Sequence, residues 1–220
     1  MKKDVLIFGF LILFGFMGQT VSAQNDLATT NPEKYSGPII DMHLHTGLPH
    51  EVPPGIPSLC RPEPCEGDGR AIVNSGELMN RTLEKMDSLN IEKAFLSGVD
   101  WKAVQEWKRA APDRFIASPF ILEPGEAHLE KLKQEYEQGR FTAMGEIGVQ
   151  LSGIAPNDPA LDPYFKLAAE RDLPVLIHTL GIGPYTPRFK SAAGNPLLLE
   201  EVLIKYPKLR LFVENAGYPY

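Results

Sequence analysis

The stretch Ile39-Ile40-Asp41-Met42-His43-Leu44-His45 decides the fold. Apolar and polar residues alternate along it, the period of a strand whose successive side chains point to opposite faces. Strict alternation sets Asp41, His43 and His45 on one face and Ile40, Met42 and Leu44 on the other. Two imidazoles on one strand face, one residue apart, can both reach a single divalent ion. The alternative, two structural core histidines, requires a separate hydrogen-bond partner for each buried ring.

Outward from this strand the chain alternates regularly. Lys93 to Gly98, Phe115 to Leu122, Thr142 to Gly148, Leu173 to His178 and Leu209 to Asn215 read as five further strands. Between them, Gly76 to Asn90, Trp101 to Ala110, Glu126 to Gln138, Asp158 to Arg171 and Pro196 to Tyr206 read as helices; Leu78, Leu83, Met86 and Leu89 give the first an apolar face. Strands alternating with helices of this length indicate βαβ units with right-handed crossovers and a parallel sheet. In a barrel of such units the polar face of the first strand looks inward, near the carboxyl ends where α/β barrels place their active sites. The Pro- and Gly-rich segment from Thr46 to about Asn74 lacks either period, and loops of that length are usually functional or mobile.

Composition fits a globular protein. Hydrophobic residues make up 43% and charged residues 23%, which excludes disordered, collagen-like and multispan membrane classes. The formal net charge of −6 argues against nucleic acid as a partner, because such binding needs clustered Lys and Arg. Lys2 and Lys3, the apolar run from Val5 to Met17, and Val21-Ser22-Ala23 form a signal-peptide pattern with cleavage near Ala23. That run is shorter than the roughly 20 apolar residues of a membrane span. The expectation is a periplasmic or secreted protein with no stable membrane span after cleavage, a polar leader over 24–37, and one domain over 38–220. Cys60 and Cys65 flank Arg61-Pro62-Glu63-Pro64 and can form a disulfide in an oxidising compartment. A zinc site there would lack a second ligand pair.

Two more strands end in groups with chemical use. Glu146 stands between Gly145 and Ile147-Gly148, where the glycines allow close approach of backbone or ligand. Its other reading is a strand-terminal acid paired with a Lys or Arg. His178 closes Pro174-Val175-Leu176-Ile177; its other reading is a loop-facing ring bound to a carbonyl. Asp100 precedes a helix and suits an N-cap. Tyr185 and Arg188, in a glycine-rich loop, can contact an anionic or carbonyl substrate, or belong to a plain surface loop. Trp101 and Trp107 read as helix-packing residues, His50 and His128 as solvent-facing, and the sequon Asn80-Arg81-Thr82 as accidental.

The stretch 39–45, Gly145-Glu146-Ile147-Gly148, Leu173 to His178 and the closing Ala216-Gly217-Tyr218-Pro219 resemble the amidohydrolase-related (amidohydrolase 2 type) family of the amidohydrolase superfamily. The likeness runs over essentially the whole chain after the leader. It implies a (β/α)8 TIM-type barrel, with His43, His45 and His178 holding a divalent metal, zinc above all, and Glu146 a further ligand or nearby carboxylate. It also implies a small-molecule substrate and a metal-activated water acting on a C–N or C–O bond, as in a cyclic amide, lactone or ester. Relatives by this resemblance include decarboxylases, and TatD-like metal-dependent nucleases share the HxH and Gly-Glu-Ile-Gly elements.

Two departures stand out. Where the family has a histidine after the sixth strand, this chain has Asn215, which can donate a hydrogen bond to a carbonyl oxygen but is neither a general acid nor an ordinary zinc ligand. The family's aspartate after an eighth strand has no counterpart, since only about six β/α units are present. The expectation is a partial barrel that is a fragment lacking a C-terminal segment, associates with itself or a partner, or is poorly stable alone. A catalytically incomplete metal- or ligand-binding fragment is the non-enzyme reading.

Overall fold

The structure, a computed structural model, describes residues 35, 37–47, 75–181 and 187–215. Six strands form there: β1 (Ile39–His45), β2 (Ile91–Ser97), β3 (Phe115–Ala117), β4 (Met144–Ile147), β5 (Val175–His178) and β6 (Leu211–Glu214). Helices α1 (Ser75–Ser88), α2 (Trp101–Ala110), α3 (Glu126–Glu137), α4 (Asp162–Glu170) and α5 (Glu200–Lys205) separate them in turn. The alternation expected from sequence is observed, and β1 and α2 have the expected bounds. His50, Cys60, Cys65 and most of the long loop lie outside the described residues. No described helix is long and apolar enough to cross a membrane.

Every strand pairing is parallel: β1 with β2, β2 with β3, β4 with β5, and β5 with β6. The third strand ends earlier than its apolar run suggests, because Pro119 offers no N–H to a ladder. The chain rejoins at Ile121, whose N–H donates to the Glu146 carbonyl (2.8 Å) and whose carbonyl accepts from Gly148 N–H (2.8 Å). That bridge joins two three-stranded sheets into six sequential parallel strands, the arc of a TIM-type barrel.

Side chains sort to two sides of the arc. Ala94, Leu96, Phe115, Ala117, Met144, Ile147, Val175 and Ile177 pack against Met86, Val104, Trp107, Leu129 and Phe165 of the helices. On the concave side Phe95, Ala143 and Leu176 meet Met42 and Ile116 without any helical residue. This second cluster is the apolar interior layer, and Phe212 of β6 reaches Phe95 with ring centroids 6.1 Å apart.

Met42 corrects the expected alternation. Between Asp41 and Leu44, β1 has one residue more than β2 has between Ala94 and Leu96, a β-bulge. The bulge turns both Met42 and His43 inward while Leu44 packs with the helix-side core. Asp41 does not join the histidines, because its carboxylate accepts the His43 backbone N–H at 3.0 Å. β4 has a register shift of its own between Met144 and Ile147, where Gly145 and Glu146 stand.

Local signals explain the helix ends. The Asp100 carboxylate accepts from the N–H groups of Lys102 and Ala103 and caps α2, as expected. The expected helix from Asp158 begins as a 3-10 turn, Pro159–Leu161, capped by Asp158, before α4 proper. The helix expected from Pro196 likewise starts as a 3-10 turn, Pro196–Leu199, before α5. Trp107 is fully buried against Phe115, and Trp101 packs on Phe141, so both are packing residues.

Candidate metal centre

The carboxyl ends of β1, β4, β5 and β6 bring their polar residues together. His43 Nε2 and His45 Nε2 lie 2.9 Å apart, and Glu146 Oε2 stands 3.3 Å from the first and 3.0 Å from the second. These three donor atoms all fall within 4.8 Å of one another. Ser97 Oγ lies 3.0 Å from His45 Nδ1, which fixes the ring so that Nε2 faces the group. Phe120 packs edge-on to the same ring.

Glu146 gets there through its backbone. Gly145 has φ +128°, a left-handed conformation that glycine adopts freely, and an added Cβ would meet the Leu176 carbonyl oxygen. Replacement of either flanking glycine is obstructed, since at Gly148 a Cβ would meet the Phe120 ring. The close approach expected of these glycines is therefore real.

His178 bonds to the other side of the carboxylate, Nδ1 to Glu146 Oε1 at 2.5 Å. The Asn215 side-chain amide stands 3.2 Å from that same nitrogen. His178 Nε2 is left buried and unpartnered among the described residues. Of the residues singled out from sequence, His43, His45 and Glu146 form the three-donor group, and His178 and Asn215 adjoin it through β5 and β6.

Electrostatics follow from this packing. Burial pushes the Glu146 carboxyl up, but hydrogen bonds with His178, His43 and His45 outweigh it and hold the acid well below the usual carboxylate range. The Glu146 hydrogen bond raises His43 above its ordinary value against the opposing effect of burial. Glu214, the last residue of β6, is the group that sequence reasoning passed over. Its Oε2 is buried, has no hydrogen-bond partner among the described residues, and lies 4.0 Å from His43 Nε2. Burial, then the Glu146 charge, push its carboxyl up to about 8. The signal was the strand alternation that puts Phe212 and therefore Glu214 inward.

A cavity of about 840 Å³ opens on this group. His43, His45, Glu146, His178 and Asn215 line it, with Val99, Phe120, Leu151 and Leu180 as apolar wall. Arg188 is not among its lining residues: the guanidinium is exposed and paired with Glu123 at 2.5 Å. Tyr185 lies outside the described residues. His128 is half-buried rather than solvent-facing, 3.4 Å from the Tyr164 hydroxyl, and burial lowers its pKa.

No curated protein matches the sequence. Solved structures do match. A TIM-barrel protein from Bordetella bronchiseptica superposes with a TM-score of 0.55 at 16% identity, over 83% of this chain and 68% of that one. The 4-oxalomesaconate hydratase of Rhodopseudomonas palustris gives 0.52 at 16%, over 81% and 63%. The 5-carboxyvanillate decarboxylase of Novosphingobium aromaticivorans, complexed with manganese, gives 0.50 at 19%, over 62% and 49%. The chain thus spans about half to two thirds of these neighbours, and the likeness at such identity is one of fold. The amidohydrolase family model, by contrast, matches residues 40–220, from the second residue of β1 through the end of the chain, and the protein belongs to the amidohydrolase family.

Proposed function

We propose that this protein is a metal-dependent hydrolase that opens a C–N or C–O bond of a small molecule, a cyclic amide, lactone or ester. The observation that carries this reading is the convergence of His43 Nε2, His45 Nε2 and Glu146 Oε2 within 4.8 Å on an 840 Å³ cavity. Two imidazoles and a carboxylate suit zinc, iron or manganese, and the 2.9 Å approach of two ring nitrogens is the spacing of donors sharing one ion.

His43, His45 and Glu146 would hold the ion, while His178, which the resemblance makes a ligand, stands behind Glu146 with its Nδ1 on the carboxylate. When bound, a divalent ion supplies Lewis acidity, which acidifies water and polarises a carbonyl. His178 orients Glu146 through their 2.5 Å bond, as groups behind a ligand commonly do. Asn215 lines the cavity with an amide N–H able to donate to a substrate carbonyl oxygen. Val99, Phe120, Leu151 and Leu180 receive the apolar body of the substrate and exclude water from it.

The test uses the full chain, metal analysis and a panel of lactones, esters and cyclic amides. The expected outcome is about one zinc or manganese ion per chain, and hydrolysis lost together with the ion in His43→Ala and His45→Ala. A wild-type protein that takes up neither ion sinks the proposal. Carbon dioxide release from carboxylated phenols, with no hydrolysis in the panel, would replace hydrolysis by decarboxylation.

A further inference from the structure

We propose that Glu214 is an additional ligand of the ion that His43, His45 and Glu146 would hold; this inference rests on the metal reading above. Register places it there. His178 of β5 pairs with Glu214 of β6, and Leu176 with Phe212, so the inward face of β6 carries Phe212 in the apolar layer and Glu214 in the polar layer beyond it. The Glu214 side chain is only 4% exposed, and Thr179 Oγ1 donates to its backbone carbonyl at 2.7 Å, which ties this strand end to the end of β5.

Two features point to an ion. Donors bound to one ion at ~2.0–2.2 Å lie at most about 4.4 Å apart; Glu214 Oε2 is 4.0 Å from His43 Nε2 and stands just outside the group of donors within 4.8 Å of one another, so its side chain would turn toward the ion on binding. No described group donates a hydrogen bond to that oxygen, although a buried carboxylate without one, beside a second carboxylate, is costly. A divalent cation meets both needs. Glu146 and Glu214 as carboxylates, with two neutral imidazoles, balance its two charges. Asn215 gives the β6 end no imidazole donor, and Glu214 supplies a carboxylate one residue earlier.

The experiment titrates zinc into metal-free full-length wild type, Glu214→Gln and Glu214→Asp by calorimetry, and records the visible spectrum of each with cobalt(II). Glu214→Gln is expected to weaken zinc binding by about 10- to 100-fold and to change the intensity of the cobalt bands, because the coordination number falls. Glu214→Asp, which keeps the charge on a shorter arm, is expected to recover part of the affinity; it also serves if the glutamine variant fails to fold. Unchanged zinc affinity and an unchanged cobalt spectrum in Glu214→Gln overturn the inference and leave the three-donor site standing. Zinc binding to Glu214→Asp no tighter than to a folded Glu214→Gln also counts against it. Failure of the wild type to bind zinc or cobalt overturns the metal reading itself, and this inference with it.

Discussion

At the scale of single residues, the site depends on groups that never need to touch a substrate. Ser97 holds His45 through Nδ1, at 3.0 Å, and thereby decides which ring nitrogen faces Glu146. Ser97→Ala should leave the fold intact, since the serine is small and sits at the end of β2. Metal affinity, measured by competition with a chelator, should fall by roughly 10-fold or more, as is usual when a group orienting a histidine ligand is removed. An unaltered affinity would mean that β1 alone sets the ring. His43, His45, Glu146 and His178 were legible in the sequence because each closes or lines a strand that reads clearly as a strand. Glu214 was not, since a charged residue at a strand end is ordinarily solvated, and its burial depends on the neighbouring β5 and on Phe212 below it.

At the scale of elements, local signals succeeded where the local chain settles the outcome. Asp100 is the clearest case: its carboxylate takes two backbone N–H groups of α2, and the helix begins where that cap predicts. Asp100→Ala should lower stability by about 1 kcal/mol, read as a shift of the denaturant midpoint at constant slope. A change below a few tenths of that would show the packing of Val104 and Trp107 to be sufficient by itself. What the sequence could not show is where a strand gains a residue relative to its neighbour. The bulges of β1 and β4 exist only in their pairings with β2 and β5, and alternation read from one strand therefore misassigned Met42. The 3-10 turns ahead of α4 and α5 were hidden for a related reason, because Pro159 and Pro196 start a helix of either kind equally well.

At the scale of the whole molecule, β1 and β6 are the outer strands of the arc, and among the described residues no strand pairs with their outer edges. Ile39, Ile40, Phe212 and Val213 on these strands are each more than a third exposed. Unpaired edges carrying exposed apolar residues invite association. The 220-residue chain should elute as larger species with a monomer in minor amount, and Ile40→Lys combined with Val213→Lys should shift it toward monomer in light scattering. A monodisperse, cooperatively unfolding wild-type monomer would contradict this. The extra residue in β1 also governs how the site could be moved to another protein. A regular strand could give its interior face either a methionine plug or the pair of imidazoles in this span, and the one extra residue gives both. Grafting the His-x-His triplet onto an unbulged strand of another barrel would therefore lose the Met42 floor beneath the site, so the triplet has to be moved together with its irregularity.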